Sequence, residues 1–486
     1  MGHFPIITLC ACATLLIGGC RVGPNYKPPE RTIPDTYAWS DEAQNTPPQE
    51  PATWWERFDD PTLDALIAYA SVDNFDLRIA AEQIVEYQAM YGVAASERFP
   101  DISALAAYSR ERTPTQDLGL GGFAGGGDPI NDWTVGLDAS WEIDLFGRIA
   151  RSIEAAQGDL QAIIEDWRYA LVTIRAEVAN TYIDIRTTQA RLDAVEENLE
   201  TQRLLVELIQ QQYEAGITTE AAVALASSTL ASDEALVPQM AALLSQQTAA
   251  LATLLGITPG VLAAALPARG EIPVPPGDVA VGIPADLIRR RPDIRAAERT
   301  LAAATARIGE AMAELYPQLT LSGQFGFGAT SFSELFRWSS RAYSAGPSFS
   351  WNVFNGDRLQ SVVNRQESVT RQALLSYEQA VIQAIGEVES SLNSFVCAVQ
   401  ERSDWNKAVL EAKQAYRLTR QQYDRGVTNL LDVLTAQQTL LTAEDSLAQA
   451  RGLAAQSLVS VYRALGGGWT AGSLPQTAQR TKDAPT

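Results

Sequence analysis

The chain is written twice. Trp141, Arg148, Glu177, Tyr213, Gly216, Leu255 and Gly256 recur as Trp351, Arg358, Glu387, Tyr423, Gly426, Leu465 and Gly466, each pair 210 positions apart. Upstream the shift is 217, as in Asp76-Leu77-Arg78 against Asp293-Ile294-Arg295, so the first copy is seven residues longer between its two strand-like stretches. A duplication on this scale demands two like units that complete each other's packing. The repeats span 71–256 and 292–466. Outside them fall 20–70, 257–291 and 467–486, rich in Pro, Gly and polar residues.

Each copy reads as helix, strand, strand, very long helix, turn, helix. The stretch WTVGLDASWEIDLF places Trp133, Val135, Leu137, Ala139, Trp141, Ile143 and Leu145 at alternate positions, with small or polar residues between them. Such period-two alternation suits a strand with two unlike faces. Strands are expected at about 101–112, 133–146, 317–330 and 343–354. A helix follows from Gly147 to Ala215, roughly 100 Å long at about 1.5 Å per residue. It carries the heptad Leu192, Leu199, Val206 and Tyr213, interleaved with Val195 and Ile209, which is a coiled-coil seam. The helix after the first turn is expected to run to about Leu255, although Pro238 interrupts its pattern.

The strands decide what the helices serve. Leu319, Leu321, Phe325 and Phe327 alternate with Gln318, Thr320, Ser322 and Gln324, and Phe349, Trp351 and Val353 alternate with Ser348, Ser350 and Asn352. Apolar outward, polar inward and aromatics at the lipid–water boundaries is the signature of a transmembrane β-barrel. Trp133 and Trp141 share a face at about 26 Å separation, close to the apolar band of an outer membrane. Leu105 and Arg110 fall on the unexpected faces of the first strand. Four strands cannot close a barrel, since an open edge in lipid leaves unpaired amides. Three chains supply twelve strands. The fold expected is mainly α with a transmembrane β-barrel portion: a duplicated unit of long coiled-coil α-barrel helices, with four strands per chain contributing to a twelve-stranded trimeric barrel.

The N-terminus, 1–19, reads as a leader: an uncharged apolar run ending in small residues before a cysteine. Ile17-Gly18-Gly19-Cys20 resembles the lipobox of bacterial lipoproteins, which implies a diacylglycerol on the Cys20 thiol. Removal of the leader takes with it Cys10, Cys12 and His3, the only histidine. A mature chain without histidine has neither a Ser-His-Asp nor a Cys-His nucleophile, and no His metal site. The formal charge of −21 disfavours nucleic acid and favours cations. No cofactor or metal is expected.

Several stretches resemble the TolC-type outer membrane factors, in particular their lipoprotein branch attached to multidrug efflux pumps. They are WWERFDDPTLDALI, NFDLRIAAEQI, GIPADLIRRRPDIRAAERTL, AELYPQLTLSGQFGFG, WEIDLFGR and QQYDRGVTNLLDVLTAQQTL, in the family's order and spacing. The resemblance implies a homotrimeric duct: a barrel in outer-membrane lipid, a helical tunnel across the periplasm and an equatorial domain from the non-repeat segments. It implies no catalysis. The duct would be the exit of a tripartite efflux system, fed by an inner-membrane pump, usually of the resistance-nodulation-division type, through a periplasmic adaptor. Trp133, Trp141 and Trp351 are the membrane-interface aromatics. The turns Gly216-Ile217-Thr218-Thr219 and Gly426-Val427-Thr428-Asn429, where glycine ends one helix and Thr or Asn caps the next, form the rim that meets the adaptor. Leu431, Asp432 and Thr435 map to the constriction of the tube, with Thr435 where the family often has an acid. The alternatives are a duct for type I protein secretion or metal efflux, a periplasmic coiled-coil adaptor lipoprotein, and a cell-wall enzyme.

Overall fold

The structure is a computed structural model that describes residues 21–29, 51–112, 129–275, 290–470, 472 and 475. Cys20 and the leader lie outside the described residues, as does most of the Gly-rich stretch between the first two strands. The elements in chain order are α1 (Pro61–Asp73), α2 (Phe75–Ser96), β1 (Asp101–Glu111), β2 (Ile130–Ile143), α3 (Arg148–Glu214), α4 (Glu220–Glu234), α5 (Leu236–Leu255) and α6 (Pro259–Ala265). They continue with α7 (Pro292–Ala313), β3 (Gln318–Ala329), β4 (Arg341–Ser350), α8 (Arg358–Asp424) and α9 (Leu430–Ala464). The repeat is visible in this order, with α2-β1-β2-α3-α4 echoed by α7-β3-β4-α8-α9. The two long helices α3 and α8 each run 67 residues without interruption. Among the described residues no single helix is long and apolar enough to cross a membrane.

Two expectations need correction. The helix read as continuous to Leu255 is two, α4 and α5, divided at Ala235. Pro238 has no N–H to return to the carbonyl of Glu234, which loosens the ladder one turn earlier. Its counterpart in the second copy is Ala448, and α9 is unbroken there. The strand bounds also shift: β2 begins and ends three residues early, and β4 covers 341–350 instead of 343–354. Trp351 and Val353 therefore lie beyond β4, because the chain leaves the ladder after Ser350 pairs with Gln318.

The chain divides into two compact units. One gathers 21–29, 86–162 and 297–377, and holds all four strands in a single antiparallel sheet of order β1-β2-β3-β4. Among the described residues both outer strands, β1 and β4, keep a free edge, and every residue of β1 is exposed. The other unit gathers the described residues of 30–85, 163–296 and 378–486. Here helical seams form the core. Leu205, Ile209, Ala226, Val433 and Leu434 make one buried cluster of α3, α4 and α9, and Val195, Leu199, Met240 and Leu441 another of α3, α5 and α9. Between Val195 and Leu205, α3 also carries polar contacts: Asn198 Nδ2 donates to Asp233 Oδ2 at 3.0 Å, and Gln437 Nε2 donates to Asn198 Oδ1 at 2.8 Å. Gln202 is 1% exposed in the same layer.

In the same unit, Arg291 of the RRRPDIR stretch is fixed by two carboxylates and a carbonyl. It donates to Asp293 Oδ2 and Glu387 Oε2, each at 2.7 Å, and to the carbonyl of Ala464 at 3.0 Å. The start of α7 is thereby tied to the end of α9. Burial works against the guanidinium charge, but Asp293 and Glu387 outweigh it and hold the pKa above the ordinary arginine value.

Candidate functional site

Strand register converts the alternation into two continuous faces. Directly opposed residues of antiparallel strands share a face. Ala104, Leu137, Phe325 and Tyr343 form one cross-sheet row, and Ala106, Val135, Phe327 and, at the start of β4, Arg341 the next. Trp141, Leu321 and Pro347 form another on that same face. The opposite face carries Ser103, Asp138, Gln324 and Ser344, then Asp101, Ser140 and Ser322, then Glu142, Thr320 and Ser348. Leu105 stands opposite Gly136 on the polar face, where a glycine partner leaves it room. Arg110 is at the apolar face's end, one residue from the close of β1.

The apolar face is bounded by aromatics at both ends. At the helix end, Trp141 and Trp351 occupy equivalent places in the two copies. The indole N–H of Trp141 donates to the carbonyl of Arg98, ahead of β1, and that of Trp351 to the carbonyl of Leu315, ahead of β3, both at 3.0 Å. At the far end Trp133 packs on Tyr108 at 4.3 Å and on Phe332 at 5.2 Å between ring centroids. Phe332, Phe336 and Trp338, all exposed, extend this belt into the β3–β4 connection. Sequence reading missed these three because they follow no alternation. Their signal is density alone, three aromatics within seven residues of a loop.

The turns that join the long helices to the helices after them are copies of one another. Gly216 and Gly426 have φ of +72° and +73°, a left-handed conformation that glycine adopts at no steric cost. Ile217 N returns to the carbonyl of Gln212 at 2.8 Å and Val427 N to that of Gln422 at 2.9 Å, the double-turn closure typical of glycine-ended helices. The next helix begins at once: Thr219 Oγ1 accepts from Ala222 N at 3.3 Å, and Asn429 Oδ1 from Asp432 N at 3.0 Å. The hydroxyl of Thr428 donates to the Asp432 carboxylate. Thr218 sits between Ile217 and the cap. Leu431, Asp432 and Thr435 are all exposed on the first turns of α9, and Ile217 and Val427 are three-quarters exposed at the tips. The structure thus brings the predicted aperture and rim residues onto two adjoining turns, linked by Tyr423 Oη donating to Gln212 Oε1 at 3.0 Å.

Asp64 has its pKa raised by burial and by the neighbouring Glu56, Asp60 and Asp59, and Glu310 by burial, with Arg148 and Arg307 opposing. Burial raises the pKa of Asp166, Asp184 and Asp233, on α3 and α4, and the three make no pair among the described residues. Asp233 is buried, Asp184 half-buried and Asp166 exposed beside Glu165, and carboxylates so scattered along helices belong to packing.

A sheet greasy on one face and polar on the other, bounded by aromatic belts and continued by coiled-coil helices, defines a membrane duct. The chain belongs to the outer membrane efflux protein family: the family model matches residues 66–257 and again 283–467, once for each copy of the repeat. It is an outer-membrane efflux channel of a tripartite efflux system in a Gram-negative cell, and not an enzyme. Similar proteins include the pyoverdine export outer membrane protein OpmQ of Pseudomonas aeruginosa, 30% identical, with 96% of this chain and 97% of that one covered. The solvent efflux pump outer membrane protein SrpC of Pseudomonas putida is 31% identical, with coverage of 94% and 97%. Among solved structures, the outer-membrane channel OprN is 33% identical with a TM-score of 0.84, covering 93% of this chain and all of its own. The Campylobacter jejuni channel CmeC, at 23% identity and TM-score 0.86 over 95% of this chain and 98% of its own, shares the fold.

Proposed function

We propose that three copies close their sheets edge to edge into one twelve-stranded barrel, anchored additionally by lipid on Cys20, with the paired turns meeting a periplasmic adaptor and a resistance-nodulation-division pump behind it. The observation that carries this reading is the sheet with two free edges. Its apolar face requires lipid, and lipid tolerates no unpaired strand. Twelve is an even number within the range of known outer-membrane barrels. Exposed apolar residues on the tips, Ile217 and Val427, offer the adaptor an apolar rim. Relatives at similar identity carry unlike names, pyoverdine export and solvent efflux, so cargo follows the pump.

In this assembly Leu431, Asp432 and Thr435 of three chains surround the periplasmic opening, and the three Asp432 carboxylates favour hydrated cations. Cross-linking of detergent-extracted protein tests the proposal. A ladder ending at three chains is expected, and a protein that stays monomeric and soluble without detergent would overturn it.

A further inference from the structure

Residues 21–29 contribute nothing to the channel reading, yet main-chain and side-chain hydrogen bonds hold them in place. Val22 N donates to the carbonyl of Phe146 at 3.1 Å, three residues past the end of β2. The Arg151 side chain, 1% exposed, is built around this segment. Its Nε donates to the carbonyl of Val22 at 3.2 Å, and its Nη2 to the carbonyl of Gly23 at 3.3 Å and to Asn25 Oδ1 at 2.8 Å. Glu154 balances the charge at 2.8 Å from Nη1.

Glycines mark the close approaches. Gly23, at φ +88°, lies on Gly309 so tightly that a Cβ would come within 2.4 Å of the Gly309 Cα. A Cβ on Gly309 would meet Arg151 Nε at 2.7 Å and the carbonyl of Val22 at 2.8 Å, and one on Gly147 would meet the Cα of Arg21 at 3.0 Å. Further along, Tyr26 Oη donates to Glu298 Oε1 at 3.1 Å, and Arg299 lies over the Tyr26 ring at 5.9 Å.

We propose that residues 21–29 are a clamped spacer, locked by Arg151, that fixes where the acylated N-terminus meets the membrane boundary of the sheet. This rests on the reading of Cys20 as the lipid-bearing residue. A free nine-residue segment wanders with a root-mean-square reach of about 15 to 18 Å. The clamp reduces that freedom to one peptide unit, about 3.8 Å, between Arg21 and the preceding cysteine. Arg21 abuts Gly147, six residues beyond the boundary tryptophan Trp141, so lipid and sheet address the same leaflet edge. Arginine is required because one planar fork must reach two carbonyls and an amide oxygen, which a single ammonium cannot do as well.

Trypsin tests the clamp through one bond: cleavage after Arg21 frees the lipid-bearing dipeptide and leaves Val22 as a new terminus, which mass spectrometry distinguishes from cuts at other Lys and Arg. Palmitate-labelled full-length protein, extracted in mild detergent as the native assembly, should retain its label. Arg151→Gln should lose it at least about tenfold faster, the scale of losing charge-assisted hydrogen bonds. Gly309→Ala keeps every charge while displacing the segment, and should behave alike even if Arg151→Gln folds poorly. Equal rates in wild type and in both folded variants would overturn the clamp. If wild-type protein carries no label, the lipid reading falls and the anchoring role with it. Mass spectrometry of the new Val22 terminus would then still report whether the segment is held.

Discussion

Arg291 shows how one residue can tie distant parts of the chain together. Its two carboxylate partners and the Ala464 carbonyl come from three separate stretches, so no substitute side chain fits all of them. Arg291→Ala would leave Asp293 and that carbonyl without their donor. A loss of about 1.5 to 3 kcal/mol is expected, read as a lower urea midpoint or melting temperature, and Arg291→Lys should recover only part of it. Asp432, which the proposed assembly turns toward the lumen, works at the same scale. Its carboxylate takes the Thr428 hydroxyl in the first turn of α9. There a negative charge stabilises the helix by about 0.3 to 1 kcal/mol. In reconstituted trimers Asp432→Ala should raise conductance and lower cation preference. Unchanged currents with only a lower melting temperature would leave it a helix-start residue and nothing more.

At the scale of elements, the polar layer of α3, α4 and α9 gives a pH prediction. Asp233 is 4% exposed, and burial raises its pKa while the Asn198 hydrogen bond opposes the shift. A raised carboxylate pKa means the folded state binds the proton more tightly than the unfolded chain. Stability from this group therefore grows as pH falls through the raised value and is lost as pH rises through it. Asp233→Asn should abolish that increment: the difference in melting temperature between wild type and variant should shift in favour of wild type on acidification from about pH 7 toward about pH 4. A difference that stays constant with pH would refute the assignment. The layer was partly legible beforehand. Leu192, Val195, Leu199, Val206, Ile209 and Tyr213 mark the seam, and their spacing places Gln202 inside it. What periodicity could not supply is which helix answers Asn198, since Asp233 and Gln437 come from other elements. In the second copy the positions of Asn198, Gln202 and Asp233 are Ala408, Ala412 and Ala443, so duplication alone would have suggested an apolar layer. The strands were legible through alternation. Their ends were not, because the last pair of β4 is set by the length of β3 opposite it.

At the scale of the whole molecule, the duplication, the membrane sheet and the paired turns could all be read from the sequence. The N-terminal clamp could not, as its partners Phe146, Arg151 and Gly309 lie more than a hundred residues from it in the chain. One further consequence follows from the boundary tryptophans. Trp141 and Trp351 have each committed their only side-chain N–H to the main chain, to Arg98 and Leu315. An indole so engaged has no donor left for a phosphate or glycerol oxygen. Immersion depth is then dictated by the protein's own architecture and not by headgroup chemistry. Parallax quenching of tryptophan emission should return the same depth in phosphatidylcholine vesicles and in vesicles rich in phosphatidylglycerol, and the channel should be indifferent to which polar lipid surrounds it.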